Sequence, residues 1–206
     1  MKIIFERILT NILRIYYYTA LGSSGKACWF DRGIRMSHMK NISLGSDCMI
    51  FRNVTINAFG QKKFNIEMGK EVRIREGCYI DTHGGWIIFG DNVFLGPQCM
   101  IYGHGGLEIG RNTLIAGKTS IIPANHNFSK SDVPLRSQGE STIGIKIGDN
   151  VWIGTGSIIL DGVHIGSHSV IGAGSVVTCS IPPFSVAVGS PAKVIRNRQE
   201  ESDLDL

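Results

Sequence analysis

Along most of the chain the apolar positions fall into a repeat of six. Ile147, Ile153, Ile159, Ile165, Ile171 and Val177 stand six apart, and glycine follows at 148, 154, 166 and 172. Four residues after the anchors come small or β-branched residues: Val151, Ser157, Val163, Ser169 and Ser175. The same register recurs upstream at Leu44, Ile50 and Ile56, then at Met68, Ile74 and Ile80. It continues through Phe89, Leu95 and Ile101 to Ile109, Ile115 and Ile121. A period of six is neither that of a helix nor that of an alternating strand. Six residues make a short flat strand plus a corner. Three such units close a triangular coil, and stacked coils lay parallel sheets on three faces. The pattern predicts anchors pointing inward and stacking on their equivalents at about 4.8 Å per coil. It also predicts that glycine tolerates the tight backbone after each anchor, and that the small residue leaves room for the turn.

Composition fits this picture. Glycine numbers 26 in 206 residues, nearly twice the usual ~7%, and without a G-X-Y period it does not signal collagen. Hydrophobic residues at 43% and charged residues at 18% exclude a disordered or acidic-tail protein. The formal charge of +4 and pI near 8.8, with no Lys/Arg run of five, do not point to nucleic acid. They suit an anionic cofactor or an anionic membrane surface. The five cysteines form no CxxC pair, and their odd number argues against a disulfide framework. Cys48, Cys78 and Cys99 fall in the small interior slot and read as small buried hydrophobes. The apolar start is interrupted by Glu6, Arg7, Asn11 and Arg14. It predicts neither a cleavable signal nor a spanning helix, and so a cytoplasmic protein.

Loops leave a repeat scaffold where the period breaks. Small additions occur at 82–86 (THGGW) and 103–106 (GHGG), and a long polar one runs from 123 to 142. Residues 2–20 are amphipathic, within an N-terminal segment 1–25. That pattern fits a helical cap on the first coil or a helix lying on a membrane surface. Residues 197–206 read as a tail.

The stretch 42–196 resembles the hexapeptide-repeat acyltransferases, in particular sugar and polysaccharide O-acetyltransferases of the galactoside and colanic acid type. The resemblance is most specific over 143–196, in IGDNVWIGTGSIILDGVHIGSHSVIGAGSVVT and GSPAKVIR. It implies an all-β, left-handed parallel β-helix with a short N-terminal helix and an extended loop at 123–142. It further implies a homotrimer with acetyl-CoA as acyl donor in grooves between subunits. The histidine after a coil and before the extended loop is the family's general base, which here is His126. An imidazole suits removal of a hydroxyl proton near neutral pH.

On the donor side, Trp152, Thr155 and Ala173 match pantetheine positions. Thr178 and Cys179 follow the last coils, and Cys179 stands where the family often has lysine. Lys193 and Arg196 match cations that meet CoA phosphates. On the acceptor side, Gln98 stands in the neighbourhood where some relatives place an asparagine. Asn125 is placed to orient His126 or touch the acceptor. His83 and His104, in the glycine-flanked additions, could line an acceptor pocket. The implied reaction is direct transfer of acetyl to a sugar hydroxyl in surface polysaccharide biosynthesis, with a backbone N–H on the oxyanion and no acyl-enzyme.

No metal is expected. The H-x4-H pair of the family's zinc carbonic anhydrase branch does not follow His126, and His164 and His168 fall on outward positions of flat coils. The rival readings are a serine or xenobiotic acetyltransferase of the same fold and a non-catalytic β-helix scaffold. The sequence shows neither the long helical domain of the serine enzymes nor a G-x-G-x-x-G ahead of the coils.

Overall fold

The computed structural model describes residues 12–13 and 15–200. Its strands are two or three residues long except at the C-terminal end, and they build three faces of a prism. The first face has seven strands, from Ser23–Ser24 through Ile87–Phe89 to His164–Ile165. The second has nine, from Trp29–Phe30 through Leu114–Ile115 to Ala192–Asn197. The third has seven, from Arg35–Ser37 through Met100–Tyr102 to Val176–Val177. Within the prism all pairings are parallel until the last hairpin, and each strand pairs with its equivalent one coil away, as Ile80 does with Ile56 and Ile101. A parallel β-helix of hexapeptide repeats is therefore the fold.

The anchors fill the interior. Ile50, Ile56, Ile74, Ile80, Leu95, Ile101, Ile115, Ile121, Ile153, Ile159, Ile165 and Ile171 are all buried. The small slot is buried as well, and its polar members are satisfied locally. Ser157 and Ser175 hydroxyls donate to the carbonyls of Gly154 and Gly172 at 2.8 and 2.7 Å. The thiols of Cys48, Cys78 and Cys99 donate to the carbonyls of Gly69, Gly96 and Ala116 at 3.1, 3.1 and 3.3 Å. A hydroxyl or thiol here replaces the hydrogen bond that the corner carbonyl would otherwise take from water.

The glycine after each anchor is needed for close approach between coils. A Cβ on Gly154 would stand 2.4 Å from the Ala173 nitrogen, and one on Gly96 would stand 2.4 Å from that of Gly117. The left-handed backbone of the corners is carried two positions later, by glycines such as Gly77, Gly156 and Gly174 and by several other residues, among them Asn53, Asn92, Asn112 and Asn150 at φ between 53° and 59°. Asparagine tolerates that region better than other side chains.

Two differences from the periodic reading stand out. The stack begins before residue 42, because Ser23, Trp29 and Arg35 already pair with Ser43, Met49 and Thr55. Residues 23–25 of the proposed N-terminal helical segment therefore belong to the first coil. Ser24 occupies an aliphatic slot there, so the coil lacks the repeat's signature. The helix itself covers 12–13 and 15–20 of the described residues. Tyr17 packs on Phe30 at 4.8 Å and donates its hydroxyl to the Ile34 carbonyl, which closes the first coil. The earlier part of the proposed helix and the end of the tail lie outside the described residues. Among the described residues no helix is long and apolar enough to cross a membrane.

Candidate active site

Nearly every departure from the repeat leaves the prism at the edge between the third and first faces. There lie 58–65, Thr82–Trp86, Gly103–Gly106 and the long arm after Ile122. The other two edges stay tight, so functional groups beyond the repeat collect along this one.

The arm is a tied structure. Asn125–His126 pairs antiparallel with Glu140–Ser141, placing His126 directly opposite Glu140. Asn127 N–H donates to the Gly139 carbonyl at 3.0 Å. The Gln138 amide bridges the arm's middle, accepting from Lys130 N–H and donating to the carbonyls of Lys130 and Val133. Its root is fixed by the Asp161 carboxylate, which accepts the N–H groups of Ile143 and Gly144 at 3.0 and 2.8 Å. His126 projects into solvent, with Nδ1 3.5 Å from Glu140 Oε1. That leaves Nε2 as the nitrogen open to a substrate. The side chain that faces His126 is Glu140, while Asn125 beside it pairs with Ser141 through the backbone register.

Below the arm the edge carries a connected polar and aromatic row. Asp81, only 4% exposed, accepts from His83 N–H at 2.8 Å, the Asn57 amide at 3.1 Å and the Tyr79 hydroxyl at 3.0 Å. Burial alone would push this carboxyl up; the three donors outweigh it and hold the carboxyl below its usual range. Tyr79 is pushed up, first by its bond to that carboxylate and then by burial. Asn57 Oδ1 receives the Ser37 hydroxyl at 2.6 Å and lies 3.1 Å from His38 Nδ1. The rings of His83 and His104 stack at 4.2 Å, with Tyr102 edge-on to both. Burial, and then the neighbouring His83, push His104 down, which favours a neutral imidazole. His104 is thus brought to this row, and the carboxylate of Glu140 also acts on it.

The other expected residues are spread over the prism. Gln98 is in the left-handed region at a second–third corner, bonded through its N–H to the Glu76 carbonyl. It is therefore on the opposite margin of the third face from His126. Thr155 and Ala173 share that second–third edge, and Thr155 donates to the Gly117 carbonyl at 2.7 Å. Trp152 points outward from the second face, 54% exposed. Thr178 and Cys179 follow Val176–Val177, on the arm's edge but two coils further on.

Lys193 and Arg196 lie on the terminal strand Ala192–Asn197, antiparallel to Ser185–Gly189. Three residues apart in a plain strand, they would face opposite ways. The register pairs Val186 with Arg196 and Ala187 with Val194, so Ile195 is an extra residue. This bulge returns both cations to one face, opposite Val188 and Val186.

His168 stacks on Phe184 at 4.8 Å and contacts Asn150, and His164 is exposed. Among the described residues no group of three or more metal-ligating side chains is assembled.

Residues 144–179 match the family model of bacterial transferase hexapeptide, six repeats. A probable acetyltransferase of Mycobacterium tuberculosis is 37% identical over 134 residues, covering 65% of this chain and 45% of the relative. A putative acetyltransferase of Schizosaccharomyces pombe is 42% identical over 120 residues, 58% of this chain and 56% of its own. The chain thus spans about half the length of these two curated relatives. The putative lipopolysaccharide biosynthesis O-acetyl transferase WbbJ of Escherichia coli is 36% identical over 149 residues, 68% of this chain and 76% of that one. The chain belongs to the hexapeptide-repeat transferase family.

The fold agrees with that membership. A variant of the N-acyltransferase AntD from Bacillus cereus, in complex with dTDP and coenzyme A, superposes with a TM-score of 0.66. It is 22% identical and covers 91% of this chain and 90% of its own. The polySia-specific acetyltransferase NeuO gives 0.57 at 24% identity, over 85% and 84% of the two chains.

The sequence singles out His126 and His104 but not Asp81, Asn57 or Glu140, which the structure brings to the same edge. Asp81 and Asn57 sit on outward strand positions that read as ordinary solvated face. Glu140 was visible only as a charge in a loop, since its pairing with His126 depends on how the arm folds back.

Proposed function

We infer that this protein is an acetyl-CoA-dependent O-acetyltransferase acting on a sugar hydroxyl of a surface glycan or its precursor. The observation that carries the reading is His126, held opposite Glu140 at the root of an arm that interrupts a family-type coil stack. The kinship with WbbJ supports the acceptor class.

The chain's residues divide the work as follows. Acetyl-CoA supplies an activated acetyl thioester. His126 Nε2 takes the acceptor hydroxyl's proton as that oxygen attacks the thioester carbon. The C–S bond breaks, and the imidazolium returns the proton to the departing thiolate. Glu140 lies beside Nδ1, which leaves Nε2 as the nitrogen that meets the acceptor. Lys193 and Arg196, brought to one face by the bulge, fit a phosphate-bearing ligand.

Within one chain His126 and the matches at Thr155 and Ala173 lie on opposite margins of the third face. A second copy is required to bring such groups to one groove, which supports a homotrimer. The exposed apolar side chains support it too: Trp152, Leu114 and Ile158 on the second and third faces, and Phe128 and Leu135 on the arm. The amphipathic start, with Ile12, Ile15 and Tyr16 exposed, also suits peripheral contact at the inner face of a membrane.

Thiol release from acetyl-CoA with and without acceptor sugars tests the reading. His126→Ala should lower kcat by roughly 10²–10⁴ and leave the fold and acetyl-CoA affinity near wild type. Retention of more than about a tenth of the activity removes His126 from the mechanism.

A further inference from the structure

The edge that carries the arm is furnished well beyond the reach of one sugar ring. Hydrogen bonds and ring contacts run without a gap from the first coil to the fourth. Ser37 and His38 meet Asn57; Asn57 meets Asp81; Asp81 holds the His83 backbone; His83 stacks on His104. Phe59, 56% exposed, packs edge-on to His38 at 5.5 Å and continues the row on its solvent side. The fifth coil then gives rise to His126. From His38 to that coil is four coil steps, roughly 19 Å.

The chemistry of the row is amide, hydroxyl, imidazole, phenol and phenyl ring, and the edge carries charges of both signs: Asp81 and Glu140 in the row, and Lys62 over the Trp86 ring on the 58–65 segment. Aromatic faces suit the C–H faces of pyranose rings, and the polar groups suit hydroxyls. A pyranose unit linked through its glycosidic oxygens advances by about one coil spacing. The row therefore matches the repeat of a glycan laid parallel to the prism axis.

We propose that the acceptor is an oligosaccharide or polysaccharide chain lying lengthwise along this edge, with about four units bound and Phe59 and His38 holding the units farthest from His126. The proposal rests on the transferase reading for what happens at His126, but the binding it describes is measurable without turnover.

The test uses the full chain on an array of oligosaccharides graded from one to six units. Retention by the wild type should rise with length to about four units, then level off. Phe59→Ala and His38→Ala, both at exposed positions and checked by thermal melting, should each reduce the preference for a tetramer over a monomer about tenfold. Glu67→Ala, on the first face, should keep it. Equal retention of monomer and tetramer, an unchanged gradient in both variants, or no retained glycan overturns the proposal. A length gradient without His126-dependent thiol release leaves the proposal standing and removes the transferase reading. Thiol release with acceptors whose KM is independent of length does the reverse.

Discussion

At the scale of single residues, the interior slots decide which side chains can react. Cys28, Cys48, Cys78 and Cys99 are buried and Cys179 is exposed. Hydrogen bonding to the stacked neighbour thiol, and then burial, push Cys48 and Cys78 up, while the same bonds push their partners Cys28 and Cys99 down; burial is what withholds all four from a reagent. A native titration with a thiol reagent at pH 8 should count one cysteine, and the same titration in denaturant should count five. Two or more fast thiols in the folded protein would contradict the buried slots. Asp81 makes a second prediction. Its folded carboxyl sits below the ordinary value, so the unfolded chain binds more protons and stability is lost as pH falls through the carboxylate range. His104 acts in the same direction at higher pH, because its lowered value means that folding disfavours the charged ring. Melting temperature should therefore fall in two stages on acidification, below about pH 6.5 and below about pH 4. Asp81→Asn should flatten the lower stage, and an unchanged profile in that variant would show that Asp81 is not the group responsible.

At the scale of elements, the hexad made the strands legible, while the irregular pieces depended on contacts between distant segments. Anchors such as Ile80 and Ile153 are buried where the period of six puts them, because inward position is dictated by register alone. The first coil was hidden by Ser24 in an aliphatic slot. The reason for the glycines also lay beyond the local pattern, since the atoms that crowd Gly154 belong to Ala173. His126 was singled out from its place at the break, whereas its pairing with Glu140 was not, because thirteen residues of arm must fold back to set them opposite each other. The terminal hairpin gives this scale its prediction. The bulge at Ile195 puts Lys193 and Arg196 on one face, so both can meet one anionic group. Replacing each with alanine should raise KM for acetyl-CoA roughly three- to tenfold with kcat little changed, since a distant phosphate contact is alike in ground and transition states. The loss should shrink with dephospho-CoA thioester if the 3′-phosphate is the group held. A double variant with wild-type KM would place the phosphate site elsewhere.

At the scale of the whole molecule, the prism has a charged first face, with Glu67, Glu108 and Lys146 on outward positions, and two faces bearing exposed Trp152, Leu114 and Ile158. Such an asymmetry predicts association through the apolar faces. Light scattering at micromolar concentration should give three times the chain's mass of 22.5 kDa, and a monomer mass would remove both the trimer and a groove shared between subunits. The two ends of the prism carry a different consequence. A parallel stack advancing by about 4.8 Å per coil has the repeat of a cross-β fibril, and a bare end coil is a template on which another chain can grow. Here the N-terminal helix covers the first coil through Tyr17, and the chain reverses at Ser185–Asn197 so that the second face ends on an antiparallel strand. A strand running the wrong way cannot be extended by a further parallel coil. The number of coils is thus set by these two stops, since nothing in the hexad itself limits polymer growth.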